Sequence, residues 1–286
     1  MTTIRQLTMD DYRAVLDMQT GIEDDYVLNI FPKLIENPAQ SLFGLMTEEG
    51  LAAVAGVFRL PNGNGILGRL RSDIRYQSKG NATALLKHII AYCEQDPRMN
   101  WLGAITRKSN LPAQRVLDKL DMHSDSHFIS LVMEDPGKVK VPAAAPWLPI
   151  EGTKAKRDAI EQAAKEVALA FYPYEAYFPI PYASAILEDA YIENLSVFRN
   201  TDASRIMVIQ EDFKGRDIAQ IQYFWPDVFE QDGLWAAVFH YLQQSGKQLV
   251  PQLDVLPETA FNIPAVFRDS FTKDDDPWLI YGRYIR

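Results

Sequence analysis

The order of elements predicts an α+β protein of three layers, a central sheet flanked by helices, with the arrangement occurring twice. Three observations predict it. Strand-like and helix-like segments alternate along the chain. A strand-like run from Ile66 to Ile74 enters a turn of small residues at 76–86, and a helix-like run leaves it from Asn81 to Gln95. The order helix, three strands, helix, strand, helix, strand then returns after residue 152. With 286 residues, two domains are expected: 1–136, a Pro- and Ala-rich linker at 137–152, and 153–286.

Composition sets the outer limits. Apolar residues make up 47% and charged residues 23%, a globular balance. The formal net charge of −9 argues against a nucleic-acid partner, which needs a concentrated basic surface. The basic cluster Arg69, Arg71, Arg75 and Lys79 lies at the 76–86 turn. Cys93 is the one cysteine, so no intrachain disulfide forms; on its helical pattern it reads as a buried, inert thiol. No signal peptide and no apolar run of membrane-spanning length are visible, and a cytoplasmic protein is expected.

In order, Thr3 to Leu7 reads as a strand. Thr8 with Asp11 forms a capping box before Tyr12, Val15, Leu16 and Gln19. Val27, Ile30, Phe31 and Leu34 mark a helix over Tyr26 to Ile35. The acidic connection 21–25 between them reads as solvated loop, or as a wall facing a cationic acceptor. Strands follow at Ser41–Thr47, Leu51–Leu60 and Gly65–Ile74, with a hairpin at Pro61-Asn62-Gly63-Asn64. Beyond the helix come a strand at Trp101–Thr106, a helix at Pro112–Leu120 and a strand at His123–Met133. His88, among apolar neighbours on the helix, reads as a structural or surface residue.

The second half begins with a helix from Lys154 to Phe171 and an aromatic–proline loop over 172–179. Strands are expected at Tyr191–Arg199, Arg205–Glu211 and Asp217–Phe224, a helix at Leu234–Gln244 and a strand at Gln248–Val255. Helical pieces over 258–271 and a strand at Trp278–Ile285 complete it. The segment 225–233, which occupies the place of the 76–86 turn, is acidic and would repel an anion.

The 76–86 turn carries the chemistry. A strand turning sharply into a helix exposes backbone N–H groups at the helix N-terminus, and these hold an anion such as a pyrophosphate. Gln77, Gly80 and Ala82 meet the pattern Gln/Arg-x-x-Gly-x-Gly/Ala, and Asn110 with Ala113 follows the next strand. On these residues and the element order, the sequence resembles the GNAT superfamily of acyl-CoA N-acyltransferases over roughly residues 2–134. The resemblance implies a mixed, mostly antiparallel sheet. It implies acetyl-CoA as co-substrate and no metal. It places the pyrophosphate on Gln77, Ser78, Lys79, Gly80, Asn81, Ala82 and Thr83. The pantetheine arm would lie along Leu70, Arg71 and Ser72, where a backbone N–H polarises the thioester, and Asn110 would touch the arm.

The family's reaction is direct attack by a neutral amine, a small molecule or a peptide, helped by a general base and a general acid. A homodimer is left open. The acid is often a tyrosine seven residues after the asparagine, where this chain has Leu117. Asp73, Asp24 and Asp25 are the nearest acidic candidates for the base. The missing tyrosine motivates a second reading, a module that binds acyl-CoA, or a protein partner, without turnover.

Overall fold

The computed structural model describes residues 2–76, 80–139 and 144–285. Two compact units emerge: Met1–Ser126 together with Leu279–Arg286, and His127–Trp278.

The first unit begins with β1 (Thr3–Gln6), a 3-10 turn at Met9–Asp11 and a short α1 (Tyr12–Leu16). The N–H of Thr8 donates to Asp11 Oδ2 at 2.9 Å, the expected capping-box contact. α2 (Tyr26–Glu36) follows, then β2 (Gln40–Thr47), β3 (Gly50–Leu60) and β4 (Asn64–Ser72). Asn62 and Gly63 both adopt positive φ in the β3–β4 hairpin, as their residue types require. α3 (Asn81–Gln95), β5 (Trp101–Arg107) and α4 (Leu111–Asp118) come next. β1 to β4 pair antiparallel in sequence order, and β4 pairs with β5 in parallel. β3 is buried from Leu51 to Val57 because both its faces are covered. On one side Ala53, Ala55 and Val57 join Leu85, Ile89, Cys93 and Leu117 of α3 and α4. On the other, Leu51 and Val54 join Val15, Val27, Phe31 and Leu34 of α1 and α2. Cys93 is fully buried, and burial pushes its thiol up to about 11, so it packs as an inert apolar group.

The division between the units falls within β6 (His123–Met133). The second unit continues with β7 (Leu148–Ile150), α5 (Thr153–Glu166), β8 (Phe171–Glu175) and β9 (Phe178–Pro181). Then come α6 (Asp189–Glu193), β10 (Leu195–Arg199), β11 (Ile206–Phe213), β12 (Asp217–Gln222) and α7 (Leu234–Gln244). β13 (Val250–Val255), α8 (Pro257–Phe261), α9 (Ala265–Arg268) and β14 (Phe271–Lys273) follow. The strand order is β6-β13-β12-β11-β10-β7, with β14 on β6. β10, β11 and β12 pair antiparallel, α7 crosses over, and β13 returns parallel to β12. β2, β3, β4, α3 and β5 of the first unit follow the same plan. The repeat extends to one backbone detail: Gly80 caps α3 at φ 76°, and Gly233 caps α7 at φ 75°.

Several elements differ from expectation. The aromatic–proline stretch is the β8–β9 hairpin, not a loop; it pairs from Phe171/Pro181 to Glu175/Phe178, and Tyr172 and Ile180 are buried. α5 stops at Glu166, where Ala168 takes φ 49°, instead of running to Phe171. Tyr191 belongs to α6, and its strand starts at Leu195. The end of the expected linker is β7, paired with β10 through Leu148/Arg199 to Ile150/Val197. Residues 140–143 lie outside the described residues. β15 (Trp278–Tyr284) supplies the largest difference. From Leu279 onward it belongs to the first unit, where it lies beside β5. The compact units therefore do not follow a single cut near residue 136.

Candidate active site

The expected cradle would lie where β4 ends and α3 begins. Gly80 sits in the left-handed region, and its carbonyl accepts the N–H of Ala84 at 3.0 Å to start the helix. Among the described residues, a Cβ at Gly80 would meet no atom within 4 Å. Asn81 Nδ2 donates to the carbonyl of Tyr76 at 3.1 Å and closes the turn. Asn81, Ala82 and Thr83 are half-buried in the first turn of α3. Gln77, Ser78 and Lys79 lie outside the described residues. The counterpart helix end is shut. A Cβ at Gly233 would lie 2.1 Å from the carbonyl oxygen of Ala145, and Trp147 Nε1 donates to the carbonyl of Asp232 at 2.8 Å.

A second feature lies along β4. The β4–β5 ladder runs from Asn64/Trp101 to Leu67/Ala104 and stops, although β4 continues to Ser72 and β5 to Arg107. On its other edge β4 stays paired with β3. There Gly68 faces Gly56 and Arg71 faces Val54, so Arg69 and Leu70 together oppose Ala55. This is a β-bulge, with Arg69 at φ 59°. The edge at Leu70–Ser72, expected to guide the pantetheine arm, therefore lies beyond the end of the ladder with β5. The carbonyl of Leu70 already accepts Arg71 Nη1 at 2.8 Å.

The carboxylates do other work. Asp25 is buried, accepts the N–H of Val27 at 3.1 Å as the cap of α2, and takes Arg71 Nε at 2.6 Å. Asp73 is fully buried. Its Oδ2 accepts the N–H of Gln19 at 3.0 Å and Arg75 Nη2 at 2.5 Å; its Oδ1 accepts the N–H and Nε of Arg75 at 2.9 and 2.8 Å. The Arg75 guanidinium pulls the Asp73 carboxyl down to about 2. So acidic a group is a weak base at neutral pH. Asp24 is exposed, with φ 48°.

These contacts fasten the α1–α2 connection to β4. Tyr26 adds to them: its hydroxyl takes Arg69 Nη1 at 3.0 Å, and its ring lies 5.8 Å from the Arg69 guanidinium and 5.6 Å from that of Arg71. Only part of the acidic connection is solvated loop, because Asp25 anchors it while Glu23 and Asp24 face water. The alternation of arginines on β4 was the available signal for this clamp; its partners lie some 40 residues upstream (43 and 46).

Asn110 is placed differently from the expectation. Its Oδ1 accepts the N–H of Ala113 at 3.3 Å as the cap of α4, and its Nδ2 donates to Thr106 Oγ1 at 3.1 Å. It joins the end of β5 to α4. Leu117 is buried in the α3–α4 core. Tyr281 of β15 packs in that same cluster, and burial raises its phenol above its ordinary value, so it keeps its proton at neutral pH. Sequence reasoning missed Tyr281 because it lies 164 positions from Leu117 (281 − 117).

Residues 1–122 match the model of the acetyltransferase (GNAT) family. That match takes in most of the first unit and none of the second. Across the whole chain, the fold is similar to a GCN5-related N-acetyltransferase of Sphaerobacter thermophilus, with a TM-score of 0.60 and 16% identity; the match covers 100% of this chain and 96% of that one. It is also similar to a candidate acetyltransferase of Thermoplasma acidophilum, at TM-score 0.59 and 12% identity, covering 99% of both chains. A third, from Pyrococcus horikoshii, gives 0.55 and 11%, covering 99% and 89%. At these identities the likeness is one of fold. No curated protein matches the chain. Among the described residues, no helix is long and apolar enough to cross a membrane.

The clamp has a measurable consequence. With its carboxyl near 2 against an ordinary value of 3.8, Asp73 contributes stability that is complete above about pH 4 and is lost as the pH falls toward 2. Arg75 is partly exposed, so solvent screening holds this to on the order of 1–2 kcal/mol. The difference in Tm between wild type and Asp73→Asn is expected to be largest above pH 4 and to close on acidification. A constant difference down to pH 2 contradicts the assignment.

Proposed function

We propose that the first unit binds acetyl-CoA and catalyses transfer of its acetyl group to an amine, by direct attack within a ternary complex. One observation carries the reading: among the described residues nothing lies within 4 Å of a Cβ at Gly80, at the N-terminus of α3 and just past the point where β4 leaves β5. The backbone N–H groups at Gly80–Thr83, with the positive end of the helix dipole, suit a pyrophosphate. Glycine suits this position because the chain takes φ 76° there. The edge of β4 beyond Leu67 suits the amide-bearing arm. Acetyl-CoA supplies an activated carbonyl and a good leaving group.

The chain's own groups then orient and move protons. A main-chain N–H near the bulge of β4 polarises the carbonyl. The clamp of Tyr26, Arg69 and Arg71 fixes the α1–α2 connection over that edge. Asp25 and Asp73 hold this scaffold, and water relays the amine proton outward. The leaving thiolate takes its proton from solvent water, since CoA thiol is a good leaving group.

The experiment is release of free CoA thiol from acetyl-CoA across a panel of small and peptide amines. Turnover with any amine supports the reading. Tight acetyl-CoA binding with no turnover across the panel favours a binding module without catalysis, for which the burial of Leu117 and the engaged carboxylates speak.

A further inference from the structure

The second unit buries polar groups on one face of its sheet. Residues on β6, β11, β12 and β13 alternate. Ile129, Leu131, Ile209, Ala219, Ile221 and Leu253 face the large aromatic core with α7. The opposite face carries Gln210, Gln220, Gln222, Gln252, Asp254 and Ser130. Gln220, Gln222 and Gln252 are each 1% exposed. They are also neighbours in register: Gln210 faces Gln220, Gln220 faces Gln252, and Asp254 faces Ser130. A sheet face covered only by protein is normally apolar, so this row needs an explanation.

The β8–β9 hairpin and α6 satisfy part of it. Gln220 Nε2 and Gln222 Nε2 donate to the carbonyl of Pro173 at 3.2 and 2.9 Å. Tyr191 donates its hydroxyl to Gln210 Oε1 at 2.9 Å. Among the described residues, other groups remain without a hydrogen bond: the carbonyl oxygens of Gln220 and Gln222, and both polar atoms of the Gln252 amide. The same edge holds Asp254. Ser130 donates to its Oδ1 at 2.5 Å, and Gln252 beside it favours the ionised form without a well-formed hydrogen bond. Asp254 itself is half-buried. Desolvation raises its carboxyl to about 6, so it is largely ionised at neutral pH. Among the described residues no lysine or arginine pairs with it, whereas deeply placed charges are normally paired.

Strand register places one aromatic residue near this carboxylate. Phe128 lies two positions from Ser130 on the same face of β6, diagonal to Asp254, a relation that sets Cα atoms about 7–8 Å apart. Phe128 stacks on Trp278 with centroids 6.5 Å apart, and Tyr177 meets Trp278 at 5.7 Å. Tyr177 is held at φ 67° in the hairpin turn, a left-handed conformation costly for a bulky residue. The N–H of Asp274 also reaches the carbonyl of Ser130, at 3.5 Å, bringing a second acidic residue to this edge.

A carboxylate lacking a protein counter-ion, amide oxygens lacking donors and adjacent ring faces share one complement. All three accept a cation rich in N–H groups. We infer that the second unit has its own binding site for a small organic ammonium, with Asp254 as counter-ion, Gln222 and Gln252 as acceptors and Phe128 as an aromatic wall. The site lies wholly within residues 127–278 and does not rest on the acetyl-CoA reading.

The test uses the full chain without acetyl-CoA at pH 7.5, followed by ligand-observed NMR and calorimetry. The probes are n-butylammonium, the neutral isostere 1-butanol and the anion butyrate. Saturable binding of n-butylammonium at millimolar concentrations, with neither of the others binding, is expected. Asp254→Asn is expected to weaken it about tenfold or more. Phe128→Leu should weaken it by a few fold and covers the case in which the Asp254 variant does not fold. Acetyl-CoA affinity should be the same in all three proteins. Absence of n-butylammonium binding, equal binding of 1-butanol, or full binding by Asp254→Asn overturns the site. None of these outcomes bears on the cradle at Gly80.

Discussion

A chain ending at Trp278 is expected to lose the folded first unit, although it removes only the last eight residues, 279–286. Those residues extend the first unit's sheet beside β5, whose strands β1 to β5 lie within the first 107 positions. Ile280 and Tyr281 are buried at 3% and 5% exposure. Tyr281 fills the cluster formed by α3, α4 and β3. Gly282 lets the Trp101 ring approach so closely that a Cβ would fall 2.5 Å from it. The N–H of Ile285 bonds to the carbonyl of Asn100 at 2.9 Å, and Arg283 pairs with Glu94. Removing two large buried side chains costs about 3–6 kcal/mol, before the exposed edge of β5 is counted. That is a large share of the roughly 5–15 kcal/mol that stabilises a whole domain. Amide-resolved NMR of the truncated chain should show loss of dispersed signals from 3–107 and loss of acetyl-CoA binding. Gly282→Val gives the graded version: overpacking against Trp101 should cost about 1–3 kcal/mol. A truncated chain that keeps native signals over 3–107 contradicts the structural role of β15. By the same reasoning, a fragment cut at residue 136 is expected to be unstable.

Much of the first unit was legible in its sequence because local signals agree there. The capping box at Thr8, the Asn62-Gly63 hairpin, the αL glycine before α3 and the small-residue run of β3 each specify their own structure. The second half was less legible where local propensity competes with pairing. Tyr172 to Pro179 contains prolines at 173 and 179 and reads as loop, but pairing along one edge and packing of its aromatic residues make it a hairpin. Long-range facts were not legible. Period-2 alternation placed Arg69 and Arg71 on one face but not their partners Tyr26 and Asp25. The repeat predicted a terminal strand but not that β15 would join the first unit, because two strands of similar pattern are interchangeable to any local rule. The buried Asp254 looked like an ordinary strand residue, since only its register with Ser130 reveals it.

Gly80→Trp is expected to abolish acetyl-CoA binding while leaving the fold in place. The substituted residue must adopt φ 76°, which costs about 1–2 kcal/mol, a modest loss of Tm. Among the described residues the new Cβ meets nothing within 4 Å, so no core contact is broken. The indole instead projects from the end of α3 where the pyrophosphate would sit, and affinity should fall roughly 100-fold or more, on the order of 3 kcal/mol. The second unit gives the built-in contrast, since the N-terminus of α7 is already covered by the carbonyl of Ala145. Binding should therefore occur once per chain. Calorimetric titration of acetyl-CoA into the wild-type chain and into Gly80→Trp tests the central claim most directly. The account predicts one site per wild-type chain and none in the variant. Two sites, no site, or equal affinity in the folded variant would contradict it.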